Sequence, residues 1–160
     1  YDGLVFAGDE ARMLHETGDD AFLLGRKTYL IHGNAFEPMP AGDPFGDLMN
    51  APAKYVVSRT LETPVWRNTT IIRDDVVESV RKLKAAPGKT IMTDGSHELV
   101  HTLLQHDLVD ELHLLLYPLV LGTGKKLFPS GPAGARLPFR LESAKPYPSG
   151  VVGLHYVRAR

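Results

Sequence analysis

Three short segments carry the residue types that handle anionic ligands, and each follows an apolar run. Leu24-Gly25-Arg26-Lys27-Thr28-Tyr29 places a glycine, two cations and a hydroxyl where a strand turns into a helix. A helix N-terminus presents free backbone N–H groups and a partial positive charge, and glycine lets a ligand approach closely. Cations at that end oppose the helix dipole, so Arg26 and Lys27 point to an anion, with a solvated basic turn as the plainer alternative. Val57-Ser58-Arg59-Thr60 brackets an arginine with two hydroxyls, a set that takes a phosphate or forms an ordinary turn. Asp94-Gly95-Ser96-His97 is a third such junction, whose simplest reading is a serine N-cap. Their coincidence at three strand ends fits a ligand with more than one phosphate lying across a sheet.

A different chemistry is written into His97-Glu98-Leu99-Val100-His101, which satisfies H-E-x-x-H, the zinc-hydrolase helix motif. The motif opens the first turn of a short helix, and no downstream extension supplies a third ligand. The apolar stripe Leu99, Val100, Leu103 and Leu104 leaves both histidines at its margin and Glu98 outward. A boundary face is therefore the expectation, and no metal. Gly122-Thr123-Gly124-Lys125-Lys126 lacks the first glycine and the final hydroxyl of a phosphate loop, and no G-x-G-x-x-G is present.

The elements that must position these residues are legible from pattern. Strands are expected at 21–24, 54–58, 69–72, 90–93 and 111–117, with helices at 9–17, 26–32, 75–86 and 96–106. Gly33-Asn34 reads as the stop of the helix from Arg26, and 36–52, rich in Pro and Gly, reads as a long surface loop. Pro148-Ser149-Gly150 separates 140–145 from 151–157 as an antiparallel hairpin. The alternation predicts a three-layer α/β domain, with a mostly parallel central sheet and a C-terminal antiparallel hairpin. In such sheets ligands bind beyond the carboxyl ends of the strands.

The bulk properties agree. The 160 residues are 43% hydrophobic and 23% charged, with a net charge of -1, which argues against nucleic-acid binding by bulk positive charge. Zero cysteine excludes disulfides, thiolate zinc sites and cysteine nucleophiles. No apolar run is long enough for a membrane span, and no signal peptide is recognisable, so a single cytoplasmic domain is expected.

Several segments together resemble the dihydrofolate-reductase-like superfamily. The nearest branch is the C-terminal reductase domain of the bifunctional riboflavin-biosynthesis deaminase/reductase. They are LLGRKTY (23–29), KYVVSRTL (54–61), TDGSHELVHTLL (93–104) and LVDELHLLLYPLVLGTGKKLF (108–128), in the family's order. The resemblance implies that Gly25, Arg26, Lys27, Thr28, Ser58 and Arg59 hold the adenosine end of NADPH, the cations selecting its 2′-phosphate. It implies that Gly95 and Ser96, with backbone from His97, Glu98 and Leu99, hold the pyrophosphate and nicotinamide side. Asp94 beside the nicotinamide, and Asp2 in an Asp-Gly that ends the family's first strand, are the candidates for substrate binding and proton supply.

The implied reaction is hydride transfer to a small pyrimidine- or pteridine-like substrate. The phosphoribosylamino-uracil reductase of riboflavin biosynthesis is the nearest named activity. Dihydrofolate reduction, a non-catalytic NADPH-binding relative and a zinc hydrolase are the alternatives. A strand expected before Asp2 is missing, and the 21 residues between Gly3 and Gly25 are fewer than relatives carry there. Family habit and the apolar 112–121 run imply a homodimer, which light scattering at the 17.6 kDa monomer mass would refute.

Overall fold

In a computed structural model the chain is described over residues 21–128 and 136–159. The expected helix at 9–17, Asp2 and its neighbours lie outside the described residues. Those described form two compact units, 21–106 and 107–159.

The first unit is a parallel sheet flanked by helices. Its strands are β1 (Ala21–Gly25), β2 (Ala53–Val57), β3 (Thr69–Ile72) and β4 (Ile91–Met92), in the spatial order β3-β2-β1-β4. Register runs Ala21↔Ala53 to Gly25↔Val57 on one side of β1, and Ala21↔Ile91 and Phe22↔Met92 on the other. β1 therefore has neighbours on both sides, and Ala21 to Leu24 are all buried. That explains its unbroken apolar run, since a strand covered on both faces has no polar side to alternate with.

The helices are α1 (Arg26–Phe36), α2 (Pro44–Asn50), α3 (Val76–Ala85) and α4 (His97–Gln105). Two departures from the sequence reading stand out. α1 does not stop at Gly33-Asn34 but runs on to Phe36. Gly33 is buried, and a Cβ there would lie 3.2 Å from the Trp66 Cβ, so the glycine serves close helix packing rather than termination. The expected 36–52 loop contains α2, started by Pro44 at its first position and by Asp43, whose carboxylate accepts the N–H groups of Phe45 and Gly46.

Trp66 is the hub of the core formed with Phe22, Leu24, Tyr29, Met49, Val56 and Leu61. The fully buried Tyr29 hydroxyl accepts the N–H groups of Val65 and Trp66, each at 3.0 Å, and donates to Thr69 Oγ1. Trp66 Nε1 donates to Asn50 Oδ1 at 2.6 Å. One strand of ordinary sequence thus hides an unusual group. Lys54 is 0% exposed, with Nζ donating to the Asn50 carbonyl at the C-terminus of α2 and lying 4.5 Å from the Trp66 ring centroid.

Burial pushes the Lys54 ammonium down to about 8 from an ordinary 10.5, against the attraction of Glu37. The unfolded chain then holds a proton that the folded chain has released between those two values. Folding stability should accordingly rise with pH across that window, by an amount of order 2–3 kcal/mol. Urea titrations of the wild type and Lys54→Met at pH 7 to 10 check this: the rise should be present in the first and absent in the second.

The second unit is an antiparallel sheet of β5 (Glu111–Leu116), β6 (Phe139–Pro146) and β7 (Val152–Arg158), in the order β5-β7-β6. The terminal hairpin is as expected, and β5 pairs with its second strand, Leu114 opposite Leu154. The whole is the α/β class anticipated, with parallel strands first and the antiparallel hairpin last. No helix among the described residues is long and apolar enough to cross a membrane.

Candidate functional site

All four strands of the first sheet run the same way, so the segments after them gather at one sheet edge. The chain leaves β1 toward β2 and β3 on one side and returns to β4 on the other. That makes the β1/β4 boundary a topological switch point, where the connections diverge and leave a crevice. Gly25–Thr28 and Asp94–Leu99 flank it; Ser58 and Arg59 lie one strand away, after β2. With strands about 4.8 Å apart, the segments after β2 and β4 are separated by roughly 10 Å, the scale of a diphosphate-linked ligand.

Two loops 71 residues apart in sequence are clasped together here. The Gly25 N–H donates to Ser96 Oγ at 2.7 Å, and the Ser96 N–H donates to Thr28 Oγ1 at 3.2 Å. A Cβ on Gly25 would meet Ser96 Oγ at 3.0 Å, so a larger residue would press the clasp apart by a few tenths of an ångström. Gly95 and Ser96 both have positive φ, 70° and 53°. Serine tolerates that conformation poorly, at a cost of about 1–3 kcal/mol, and the two clasp bonds hold it there. The Thr93 hydroxyl adds a tie to the Leu23 carbonyl at 2.6 Å.

Because the Ser96 hydroxyl is turned to Gly25, it does not cap its own helix. Neither α1 nor α4 has a side-chain cap, and α1 has no acid in its first turn. Two uncapped helix N-termini thus stand at the switch point, with exposed Arg26 and Lys27 in the first turn of α1. Backbone N–H groups and fixed cations form a donor set suited to phosphate oxygens.

Ser58 is buried, and its Oγ accepts the N–H groups of Thr60 and Leu61, so it shapes the turn that presents Arg59. The Arg59 side chain is 84% exposed, with Asp74 4.0 Å away. Such an exposed pair contributes little and yields readily to a better-placed anion.

Asp94 is half-exposed, and its Oδ2 lies 3.7 Å from His32 Nε2. His32 was not among the sequence candidates. It sits four residues after Thr28 on α1, one helical turn along the same face, and that spacing was the available signal. Its ring lies edge-on to Phe36 and Trp66, which fixes its orientation toward the strand end.

The H-E-x-x-H segment forms the first turns of α4. Leu99, Leu103 and Leu104 are buried, Glu98 is exposed, and the His97 and His101 rings lie 4.1 Å apart at the margin, as the apolar stripe required. Among the described residues the three-donor cluster with metal-holding spacing lies elsewhere, at Glu111, His113 and His155.

Comparison with known proteins gives a consistent picture. Residues 7–153 match the family profile of the RibD C-terminal domain. The uncharacterized protein YyaP of Bacillus subtilis is 34% identical over 140 residues, which are 86% of this chain and 73% of that protein. A second uncharacterized protein of that bacterium, YwjB, is 31% identical over 140 residues, 88% of this chain and 74% of its own. Among solved structures, one from Shewanella sp. PV-4, provisionally named for riboflavin biosynthesis, superposes with a TM-score of 0.73. It is 21% identical, over 99% of this chain and 84% of that one. A pyrimidine reductase-like protein of Corynebacterium diphtheriae gives 0.64 at 16% identity, over 89% and 77% of the two chains. These last two likenesses bear on the fold.

Proposed function

The chain belongs to the RibD C-terminal domain family, and from that membership we propose that it is an NADPH-dependent reductase of a pyrimidine- or pteridine-like substrate. The observation that carries the reading is the clasped switch point, where two uncapped helix N-termini face one crevice beside Arg26 and Lys27. In this reading Arg26, Lys27, Thr28 and Arg59 take the adenosine end and its 2′-phosphate. Gly95, Ser96 and the backbone N–H groups of His97, Glu98 and Leu99 take the pyrophosphate. When bound, the dinucleotide supplies hydride to a C=N or C=O carbon of the substrate.

The remaining steps belong to the chain. The Asp94 carboxylate accepts hydrogen bonds from the amino edge of the heterocycle and orients it, and His32 orients Asp94 through their contact. The nitrogen or oxygen of the reduced bond takes its proton from solvent, relayed through the half-exposed Asp94 carboxyl. The names of the Shewanella and Corynebacterium proteins support a riboflavin-type aminopyrimidine ahead of dihydrofolate.

Loss of reduced-nicotinamide absorbance, followed with ribosyl- and ribityl-aminopyrimidines and dihydropterins, tests the proposal. Asp94→Asn should retain NADPH binding while kcat falls by about 10²-fold or more, the usual scale for a positioned acid–base group. His32→Gln should alter the pH profile of kcat more than KM for NADPH. Binding of NADPH without turnover of any of these substrates would leave a non-catalytic relative. Full turnover by Asp94→Asn would remove that residue from the mechanism.

A further inference from the structure

On the antiparallel sheet, β5 and β7 set His113 directly opposite His155, and Glu111 lies two residues earlier on β5, hence on the same face. Glu111 Oε2 is 3.2 Å from His113 Nε2 and 2.9 Å from His155 Nε2. The two imidazole rings stack with centroids 4.2 Å apart and planes inclined by 19°. Three donor atoms from two paired strands therefore converge on one point of the surface. We propose that Glu111, His113 and His155 form a binding site for a divalent cation of zinc-like chemistry, unconnected with the H-E-x-x-H motif.

The geometry and the donor types both favour such an ion. Tetrahedral zinc, with bonds of about 2.0–2.1 Å to nitrogen and oxygen, sets its donors about 3.3–3.4 Å apart, and the three donor atoms here all lie within 4.8 Å of one another. Two imidazoles with one carboxylate suit zinc and its transition-metal neighbours, whereas magnesium and calcium require six or more oxygens. The fourth position is left to water, because the carboxylate is half-exposed and each imidazole about one-quarter exposed.

The cluster has a reason to accept a cation. Glu111 Oε2 already lies within hydrogen-bond reach of Nε2 on both rings, so one carboxylate oxygen and two imidazole nitrogens face a common point. A metal takes each ring through an unprotonated nitrogen, and Nε2 is the ring atom that faces Glu111 on both. Binding forms bonds from Nε2 of both rings and one carboxylate oxygen to the cation, each neutral ring keeping its single proton on Nδ1. The strand pairing already sets the three Cα positions, so only side-chain ordering remains to oppose it. The neighbouring cation on β6, Arg140, is engaged by Glu142 at 2.6 Å.

Equilibrium dialysis of the intact chain against zinc chloride, followed by metal analysis, decides the matter. One zinc per chain is expected at this cluster, undiminished by excess magnesium or calcium. His155→Ala and His113→Ala should each weaken it at least tenfold, and His101→Ala should not. His155→Gln and Glu111→Gln, which keep side-chain bulk on the strands, carry the same expectation if an alanine variant loses its far-ultraviolet circular dichroism. Absence of zinc from the wild type, uptake unaffected by His155→Gln, or uptake abolished only by His101→Ala would each overturn the assignment.

Discussion

Trp66→Ala should lower the unfolding free energy by about 3–5 kcal/mol, the range for deleting a buried aromatic side chain. Trp66 is 3% exposed and packs on Phe22, Tyr29 and Phe36 at centroid distances of 6.1–6.3 Å. Its loss removes more than apolar area. Asn50 Oδ1 would lose its indole donor, the Lys54 ammonium its aromatic face, and Gly33 the surface it is shaped to meet. A buried acceptor without a donor costs about 1–3 kcal/mol by itself. Urea denaturation followed by circular dichroism measures the effect, since the chain has one tryptophan and the variant has none. Trp66→Phe keeps the stack but not the N–H and should fall between the two. A loss below 1 kcal/mol for alanine would show that the core is centred elsewhere.

The double variant Arg26→Ala with Arg59→Ala should raise KM for NADPH by about 10²-fold and leave NADH within a few-fold. Hydrogen bonds to a charged group contribute about 1.5–3 kcal/mol each, and the extra phosphate is the difference between the two dinucleotides. Both guanidinium groups follow the central strands β1 and β2, and among the described residues the Arg59 ion pair, with Asp74, is long and exposed. Steady-state kinetics with both dinucleotides separates the outcomes. Equal losses for both would assign these arginines to the pyrophosphate or to general attraction, and the selectivity would have to reside elsewhere.

Much of this was legible because short-range rules and long-range packing agree along most of the chain. Ala21 to Gly25, Thr69 to Ile72 and the terminal hairpin were recognisable from period and turn chemistry alone. The expectation of an anion at Gly25 to Thr28 rests on cations placed against a helix dipole, and the fold sets that segment at the switch point. The failures came where tertiary contact overrides local preference. Gly33 reads as a helix stop until Trp66 supplies the reason for a buried glycine. Asp43-Pro44 carried the signal of a helix start, but the surrounding prolines and glycines masked it. His32 looked like one more helix-face residue, because its meaning depends on Asp94, 62 positions later. Lys54 looked like a polar residue on a strand, and only its carbonyl and indole partners explain its burial. The Glu111, His113 and His155 grouping could not be anticipated from spacing, since antiparallel pairing, not sequence distance, creates it.

The clasp between Gly25 and Ser96 also bears on the order in which the molecule assembles. Its partners come from opposite ends of the first unit, so the bond forms only after β2, β3 and the intervening helices have been laid down and β4 has returned to β1. Local segments gain structure early, and contacts of high sequence separation are closed late, once loop entropy has been overcome. The Gly25 amide proton is therefore a reporter of sheet closure. Its exchange with solvent deuterium should slow only when the last parallel strand docks, and any ligand seated across the two helix ends should slow it further, binding being possible only in the closed form.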